Sequence, residues 1–272
     1  MGRLVLVPTP IGNLSDITLR ALEQLREASA IAAEDTRHTR VLLTHHGIDA
    51  PLVRLDEHTI ESRGPAILDQ YENLAFVTDA GTPGISDPGV RLVALALERG
   101  DEIEALPGPT AFVPALVLSG LPLARFTFEG FLPRQGRFRR DRLEEIARST
   151  ATSVLYESPR RVAKTLADLR EVCGGDRQAS VSRELSKRFE TTYRGSLDEL
   201  LGRLTQDDYR GEFVIVVGPA AEGEDDDSAV HRERAQALAG AGVTGKQLRQ
   251  ALEALGAPRN VAYQLALGQA NE

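Results

Sequence analysis

Polar residues that interrupt apolar runs are where chemistry is most readily placed, and in this 272-residue chain they gather at a few points. Ala30–Ala33 is followed at once by Glu34, Asp35, Arg37 and His38; Ser153–Tyr156 is followed by Glu157 and Ser158; Ala179–Ser182 is followed by Arg183 and Glu184. A carboxylate or imidazole held at such a point can take a proton, and a guanidinium can stabilise a forming anion. Each also has a plainer use. Asp35 is placed to cap a helix beginning at Thr36, His38 fits an ordinary surface position, and Glu157 and Glu184 can pair with Arg161 and Arg183 as structural ions. Three other segments, residues 8–16, 79–89 and 107–111, are dense in Gly and Pro. Such backbone is stiff and poor in side chains, so a ligand can approach its N–H and C=O groups closely. One such segment is a turn signal. Three that follow apolar runs point to a crevice at strand ends.

The elements that must position these residues follow from periodicity. Leu4–Val7, Ala30–Ala33, Leu74–Thr78 and Ile103–Leu106 read as strands, separated by helical patterns over Thr18–Ala28, Thr36–His46, Thr59–Tyr71 and Gly89–Arg99. That alternation predicts parallel βα units in an open sheet. Ser15 or Asp16 is the expected cap of the first helix, and Gly100 the stop of the last. After Gly120-Leu121-Pro122 the pattern changes to strands at Phe126–Phe128, Ser153–Tyr156, Ala179–Ser182, Glu190–Arg194 and Phe213–Val217, several without a helix between them, which predicts a mixed sheet. Helices are expected around Arg140–Arg148, Arg160–Val172 and Leu197–Leu204. Residues 1–120 and 121–220 are read as two α/β domains, 221–228 as an acidic linker, and 229–272 as a small domain of three helices broken at Gly242 and Gly256.

A net charge of −8 argues against indiscriminate binding to nucleic acid, which depends on neutralising phosphates. Much of the excess sits in Glu222–Asp227. Arg134, Arg137, Arg139, Arg140 and Arg142, by contrast, cluster around Phe138, giving phosphate-binding cations beside a ring on which a base can stack. Arg37, Arg40, Arg160, Arg161, Lys187 and Arg188 extend that surface, and Lys246, Arg249 and Arg259 offer further contacts; the alternative is a solvated basic face. Cys173 is the lone cysteine and no Cys/His group has zinc spacing, so neither a disulfide nor a metal is expected and a reducing cytoplasm fits best. The opening apolar run is too short for a signal peptide or membrane span. Dinucleotide and phosphate-loop fingerprints are absent, so the Gly/Pro loops do not read as a pyrophosphate cradle.

The loops resemble those of the tetrapyrrole-methylase, or class III, S-adenosylmethionine-dependent methyltransferases, and within them the ribosomal RNA branch. The resemblance rests on Pro8-Thr9-Pro10-Ile11-Gly12-Asn13-Leu14 with Asp16-Ile17-Thr18, Ala33-Glu34-Asp35-Thr36-Arg37, Asp79-Ala80-Gly81-Thr82-Pro83, Glu129-Gly130-Phe131-Leu132-Pro133, Tyr156-Glu157-Ser158, Arg183-Glu184-Leu185 and Gly211-Glu212-Phe213. It runs from residue 4 to about residue 218. It implies methylation of a cytidine ribose 2′-hydroxyl in the decoding centre of 16S ribosomal RNA, a homodimer, and S-adenosylmethionine in a cleft between the two α/β domains. By motif position Pro10, Gly12, Asp79, Gly81, Thr82, Ile85, Thr110, Ala111, Tyr156 and Gly218 would bind or shape the site of the methyl donor.

Methyl transfer from a sulfonium is an in-line displacement driven largely by positioning, and no metal is required. A ribose hydroxyl is a weak nucleophile, so a nearby base helps; Asp35 and Glu157 are the expected candidates. RNA contacts are expected from Arg37, Arg134, Arg137, Arg139, Arg140, Arg160 and Arg161, with the assembled 30S subunit as partner and neither DNA nor membrane involved. Two other readings remain open: a small-molecule tetrapyrrole methyltransferase, and a non-catalytic RNA-binding or ribosome-assembly protein. The first and third loops depart from the motifs of the small-molecule branch, which favours RNA.

Overall fold

The computed structural model describes residues 2–204, 210–220, 226–257 and 259–268; within the terminal helices the side chains of 226–230, 232, 259, 260 and 268 lie outside the description. The chain divides into two compact units, Met1–Pro219 and Ala220–Glu272.

The first unit opens with a wholly parallel sheet in the order β3-β2-β4-β1-β5, made of β1 (Arg3–Leu6), β2 (Ala30–Ala33), β3 (Leu52–Arg54), β4 (Asn73–Val77) and β5 (Glu102–Ala105). Helices α1 (Leu19–Glu27), α2 (Thr36–His45), α3 (Ile60–Gln70) and α4 (Gly89–Arg99) connect the strands. Both faces of the sheet are apolar. Val5, Val7, Ile31, Ala33, Ala75 and Val77 pack with Leu25 of α1 and Leu43 of α2, whereas Leu4, Leu6, Ala30, Ala32, Leu74 and Phe76 pack with Ile67 of α3 and Leu92 of α4. Adjacent residues thus serve opposite layers, as the period of two in a strand requires. The chain leaves β1 in one direction along the sheet and later returns to β4 and β5 in the other, so the loops after β1 and β4 diverge at the switch point where a ligand crevice is expected.

The second sheet has the order β6-β7-β10-β8-β9 and is mixed. Its strands are β6 (Phe126–Phe131), β7 (Thr152–Glu157), β8 (Gln178–Arg183), β9 (Thr191–Ser196) and β10 (Phe213–Val217); β6 runs parallel to β7, and the other neighbours are antiparallel. One face packs on α6 (Arg137–Arg148), α7 (Val162–Cys173) and α8 (Leu197–Arg203) through Leu155, Val181 and Ile215. The other carries Val154, Val214 and Val216 and is covered by Ala115 and Leu116 of α5 (Phe112–Ser119).

Two elements escape the sequence reading. Helix α5 is apolar on all sides, so it shows no amphipathic period, and β3 is only three residues long. The cap of α1 also differs from expectation: Thr18 Oγ1 accepts the Ala21 N–H, while Ser15 and Asp16 lie in a short 3-10 turn capped by Asn13. Gly100 ends α4 in the left-handed conformation, as expected. The border expected near residue 120 falls inside the first unit, at the left-handed Gly120 after α5.

The second unit holds α9 (Asp226–Gly240), α10 (Gly245–Ala254) and α11 (Arg259–Gly268) around Ala235, Leu248, Leu252, Ala257, Ala262 and Ala266. Residues 222–225 of the acidic run lie outside the described residues, but Asp226 and Asp227 are already helical, so α9 begins inside the stretch expected to be linker. Among the described residues no helix is long and apolar enough to cross a membrane.

Candidate active site

Three loops at the carboxyl end of the first sheet are locked together by contacts that explain their composition. Thr9 and Gly81 exchange backbone hydrogen bonds of 2.9 and 3.0 Å, joining the loop after β1 to the loop after β4. Thr82 Oγ1 donates to Pro109 O at 2.9 Å, joining that loop to the one after β5. Gly108 closes the triangle: a Cβ there would overlap the ring of Pro8. Gly81 itself has φ +84°, a conformation that suits glycine. Asp87 Oδ1 accepts the N–H groups of Gly84 and Gly89 at 2.7 and 2.8 Å and so shapes the turn into α4.

Beside these loops lies a cavity of about 430 Å³. One side is Ile11, Glu34 and the backbone-rich segments Thr78–Thr82, Ile85–Asp87 and Thr110–Ala111; the other is Phe131, Tyr156–Pro159 and Glu212–Val214. The second side exists because β7 and β10 are antiparallel neighbours, with Tyr156 opposite Val214 and Glu157 opposite Phe213. Every charged residue of the wall is a carboxylate: Glu34, Asp79, Asp87, Glu157 and Glu212, with no Lys, Arg or His among the described lining residues. Buried hydroxyls of Thr78 and Thr110 have no hydrogen-bond partner among the described residues; the Thr110 hydroxyl lies near the Tyr156 phenol without reaching hydrogen-bond geometry. Burial is the main influence on that phenol and pushes its pKa up, so Tyr156 stays protonated.

The carboxylates differ in how they are held. Glu157 is buried, and both of its oxygens are engaged: Oε1 accepts the Ser158 N–H at 2.8 Å and faces Arg161 Nε at 3.2 Å, and Oε2 accepts Thr165 Oγ1 at 2.7 Å. Asp35 is not on the cavity wall. It caps α2 by accepting the Arg37 N–H at 2.8 Å and clamps the Arg37 guanidinium, which holds its carboxyl far below the usual carboxylate range and makes it a poor base. Glu34, one residue earlier, faces the cavity. Burial, followed by the charges of Asp79 and Asp87, raises its pKa, partly offset by the nearby Asp79 N–H.

Seven of the ten residues expected at the donor site line this cavity: Asp79, Gly81, Thr82, Ile85, Thr110, Ala111 and Tyr156. The structure does not bring the other three there. Pro10 borders a separate small pocket with Leu14, His38 and Val41; Gly12 abuts Leu185 O and the Lys187 side chain; Gly218 packs on Gln178 O and Leu121. Phe131 and Glu212, which the site reading did not single out, stand on the wall although both lie in the motifs quoted for the family resemblance.

The arginine cluster also separates. Arg139 is buried, contrary to its expected role on an RNA-binding surface: its guanidinium donates to Asp168 Oδ2 at 2.7 and 3.0 Å, to Thr165 Oγ1 at 3.0 Å and to Pro133 O at 3.0 Å. It shares the inward face of α6 with Leu143 and Ile146, a spacing of four and seven residues that the sequence itself displays. Arg161 is likewise committed, to Glu157 and to Leu132 O at 2.7 Å, and Arg37 is committed to Asp35. Arg137 pairs loosely with Asp141 at 3.4 Å. Arg134, Arg140 and Arg160 are exposed and make no ion pair among the described residues, and Phe138 beside them is 80% exposed. Lys187 is paired with Glu184 and Glu212, Lys246 is exposed, Arg249 pairs with Glu253, and the Arg259 side chain lies outside the described residues.

Comparison with known proteins settles the family. Residues 3–201 match the family described as Tetrapyrrole (Corrin/Porphyrin) Methylases. The chain belongs to that family. Proteins named Ribosomal RNA small subunit methyltransferase I are similar to it over nearly their whole length: the one from Synechocystis sp. is 43% identical over 98% of both chains, and the one from Escherichia coli O157:H7 is 42% identical over 98% of this chain and 96% of its own. Among solved structures, the methyltransferase CobJ shares the fold with a TM-score of 0.63 at 21% identity, covering 81% of this chain and 95% of its own. Uroporphyrin-III C-methyl transferase from Thermus thermophilus, complexed with S-adenyl homocysteine, does so with a TM-score of 0.59 at 20% identity, covering 80% and 97%.

Proposed function

We propose that this methylase-family chain transfers a methyl group from S-adenosylmethionine to the ribose 2′-hydroxyl of a decoding-centre cytidine in 16S ribosomal RNA, acting on the assembled small subunit as a cytoplasmic homodimer. The full-length similarity to ribosomal RNA small subunit methyltransferase I proteins is the observation that carries this reading. The cavity suits the donor. Its volume is within the range of about 300–1,000 Å³ usual for small-molecule sites. Its wall combines apolar side chains, two unpartnered hydroxyls, close-approach backbone and only negative charges, which favours a sulfonium cation. A polycarboxylate acceptor such as a tetrapyrrole would find no cation on that wall.

When bound, the donor supplies an electrophilic methyl group. Asp79, Gly81, Thr82, Ile85, Thr110, Ala111 and Tyr156 would hold it, with the interlocked loops fixing their backbone before the ligand arrives. Such rigidity lowers the entropy cost of aligning acceptor and methyl. Glu157 acts on position: its ties to Ser158, Arg161 and Thr165 hold the loop that follows Tyr156. Arg134, Arg140 and Arg160, exposed and without an ion pair among the described residues, can meet phosphates, and Phe138 offers a stacking face.

The test is methyl transfer from radiolabelled S-adenosylmethionine to small-subunit particles lacking the modification, with nuclease mapping of the labelled nucleotide. Label on a cytidine 2′-oxygen is expected. Donor binding without label in RNA would turn the reading toward a small-molecule acceptor or a non-catalytic role.

A further inference from the structure

Five carboxylates line the cavity, and four of them have other work. Glu157 has both oxygens engaged inside the protein. Asp87 Oδ1 takes two loop N–H groups. Glu212 is outlying and exposed, with Oε2 on Lys187 Nζ at 3.0 Å. Asp79 Oδ1 accepts the Asp35 N–H at 3.1 Å and ties the end of β2 to the end of β4. Glu34 alone, among the described wall carboxylates, makes neither an ion pair nor a side-chain hydrogen bond; the Asp79 N–H lies near it and favours its charged form. The other bases nearby are removed by geometry: Asp35 is clamped by Arg37 away from the wall, and His38 borders the separate pocket beside Pro10.

We propose that Glu34 is the catalytic residue that takes the proton from the acceptor hydroxyl. The inference rests on the methyl-transfer reading above. As the hydroxyl oxygen forms its bond to the methyl carbon, the carbon–sulfur bond breaks and its electron pair leaves with the thioether product. The O–H proton passes to the Glu34 carboxylate, which later releases it to water. The charged groups that act most strongly on Glu34 are anionic: Asp79 and Asp87 from the loop after β4, and Glu57 from the segment after β3. Together with burial they raise the proton affinity of Glu34 above that of an ordinary carboxylate.

The experiment compares wild type, Glu34→Gln, Glu34→Asp and Asp79→Asn in single-turnover methyl transfer to unmodified small-subunit particles across pH, with donor affinity measured calorimetrically. In parallel, carboxyl ¹³C NMR titrates Glu34 in the ligand-free protein, its signal assigned by loss in Glu34→Gln. Expected are a Glu34 titration above its ordinary value, and a wild-type rate that falls as pH drops through that titration. Glu34→Gln should lose about 10²–10⁴-fold in rate together with this acid limb, whereas Glu34→Asp keeps the limb at reduced rate. The proposal is overturned if Glu34→Gln weakens donor binding but retains rate and acid limb, or if the limb disappears only in Asp79→Asn. Absence of label with the wild type would instead overturn the methyl-transfer reading itself, while the NMR titration stands apart from turnover.

Discussion

Glu34 and Glu157 stand on opposite walls of one cavity, each just beyond or at the end of a strand, each in a family motif, yet they are held in opposite ways. Glu157 ends β7 inside a network that runs from Arg161 through its carboxylate to Thr165, Arg139 and Asp168. Glu34 follows β2, with negative neighbours and no ion pair among the described residues. A buried carboxylate whose lone pairs are all used stabilises backbone and is costly to remove; one left without a counter-ion is a local liability kept available for a ligand. Two glutamates of similar sequence setting thus divide into support and chemistry.

The largest test of that division is Glu157→Ala. It removes the anion paired with Arg161 and the acceptor of the Thr165 hydroxyl at the centre of the network, and a loss of about 3 kcal/mol is expected in urea denaturation. A variant that kept its stability but lost turnover would break the comparison. Arg139→Ala, further along the same network, should cost about 2 kcal/mol, since Asp168 retains Lys164 at 2.9 Å. Replacing Arg134, Arg140 and Arg160 together should leave stability unchanged while weakening particle binding and flattening its salt dependence by about two to three counterions. Reversal of those two phenotypes would mean the cluster is divided wrongly.

Gly108→Ala forces the loop after β5 off Pro8 and should weaken donor binding about tenfold, at about 1.4 kcal/mol of strain, with little change in bulk folding. The smallest effect sharpens the Glu34 side. A carboxyl whose folded pKa is raised binds its proton more readily folded than unfolded, so its ionisation opposes folding as pH rises above the ordinary carboxylate value. Glu34→Gln should therefore be slightly more stable than wild type at pH 7, with the advantage gone below about pH 4, measured by thermal denaturation. Equal stability at both pH values would place Glu34 in open solvent.

Residue types and spacing determine much of this protein. Short apolar runs at Leu4–Val7, Ala30–Ala33 and Leu74–Thr78, alternating with helical patterns, predict an open parallel sheet, and because the runs are unbroken their neighbouring residues enter different layers. The Gly/Pro segments mark the loops after β1, β4 and β5, because stiff backbone without side chains is visible in composition alone. The burial of Arg139 is also legible, in its helical spacing from Leu143 and Ile146, although a run of arginines draws attention to charge instead of period. Other features belong to the tertiary structure alone. Helix α5 is apolar all round, and only the face of the second sheet that it covers makes it a helix with a place. The choice of Glu34 over Asp35 depends on which side chain meets a wall built from Tyr156 and Val214, more than 100 residues away. The role of Glu157 depends on partners that α7 brings into reach. Local sequence carries periodicity and conformational freedom; the charge and burial that separate one carboxylate from another arise only when distant strand ends are packed together.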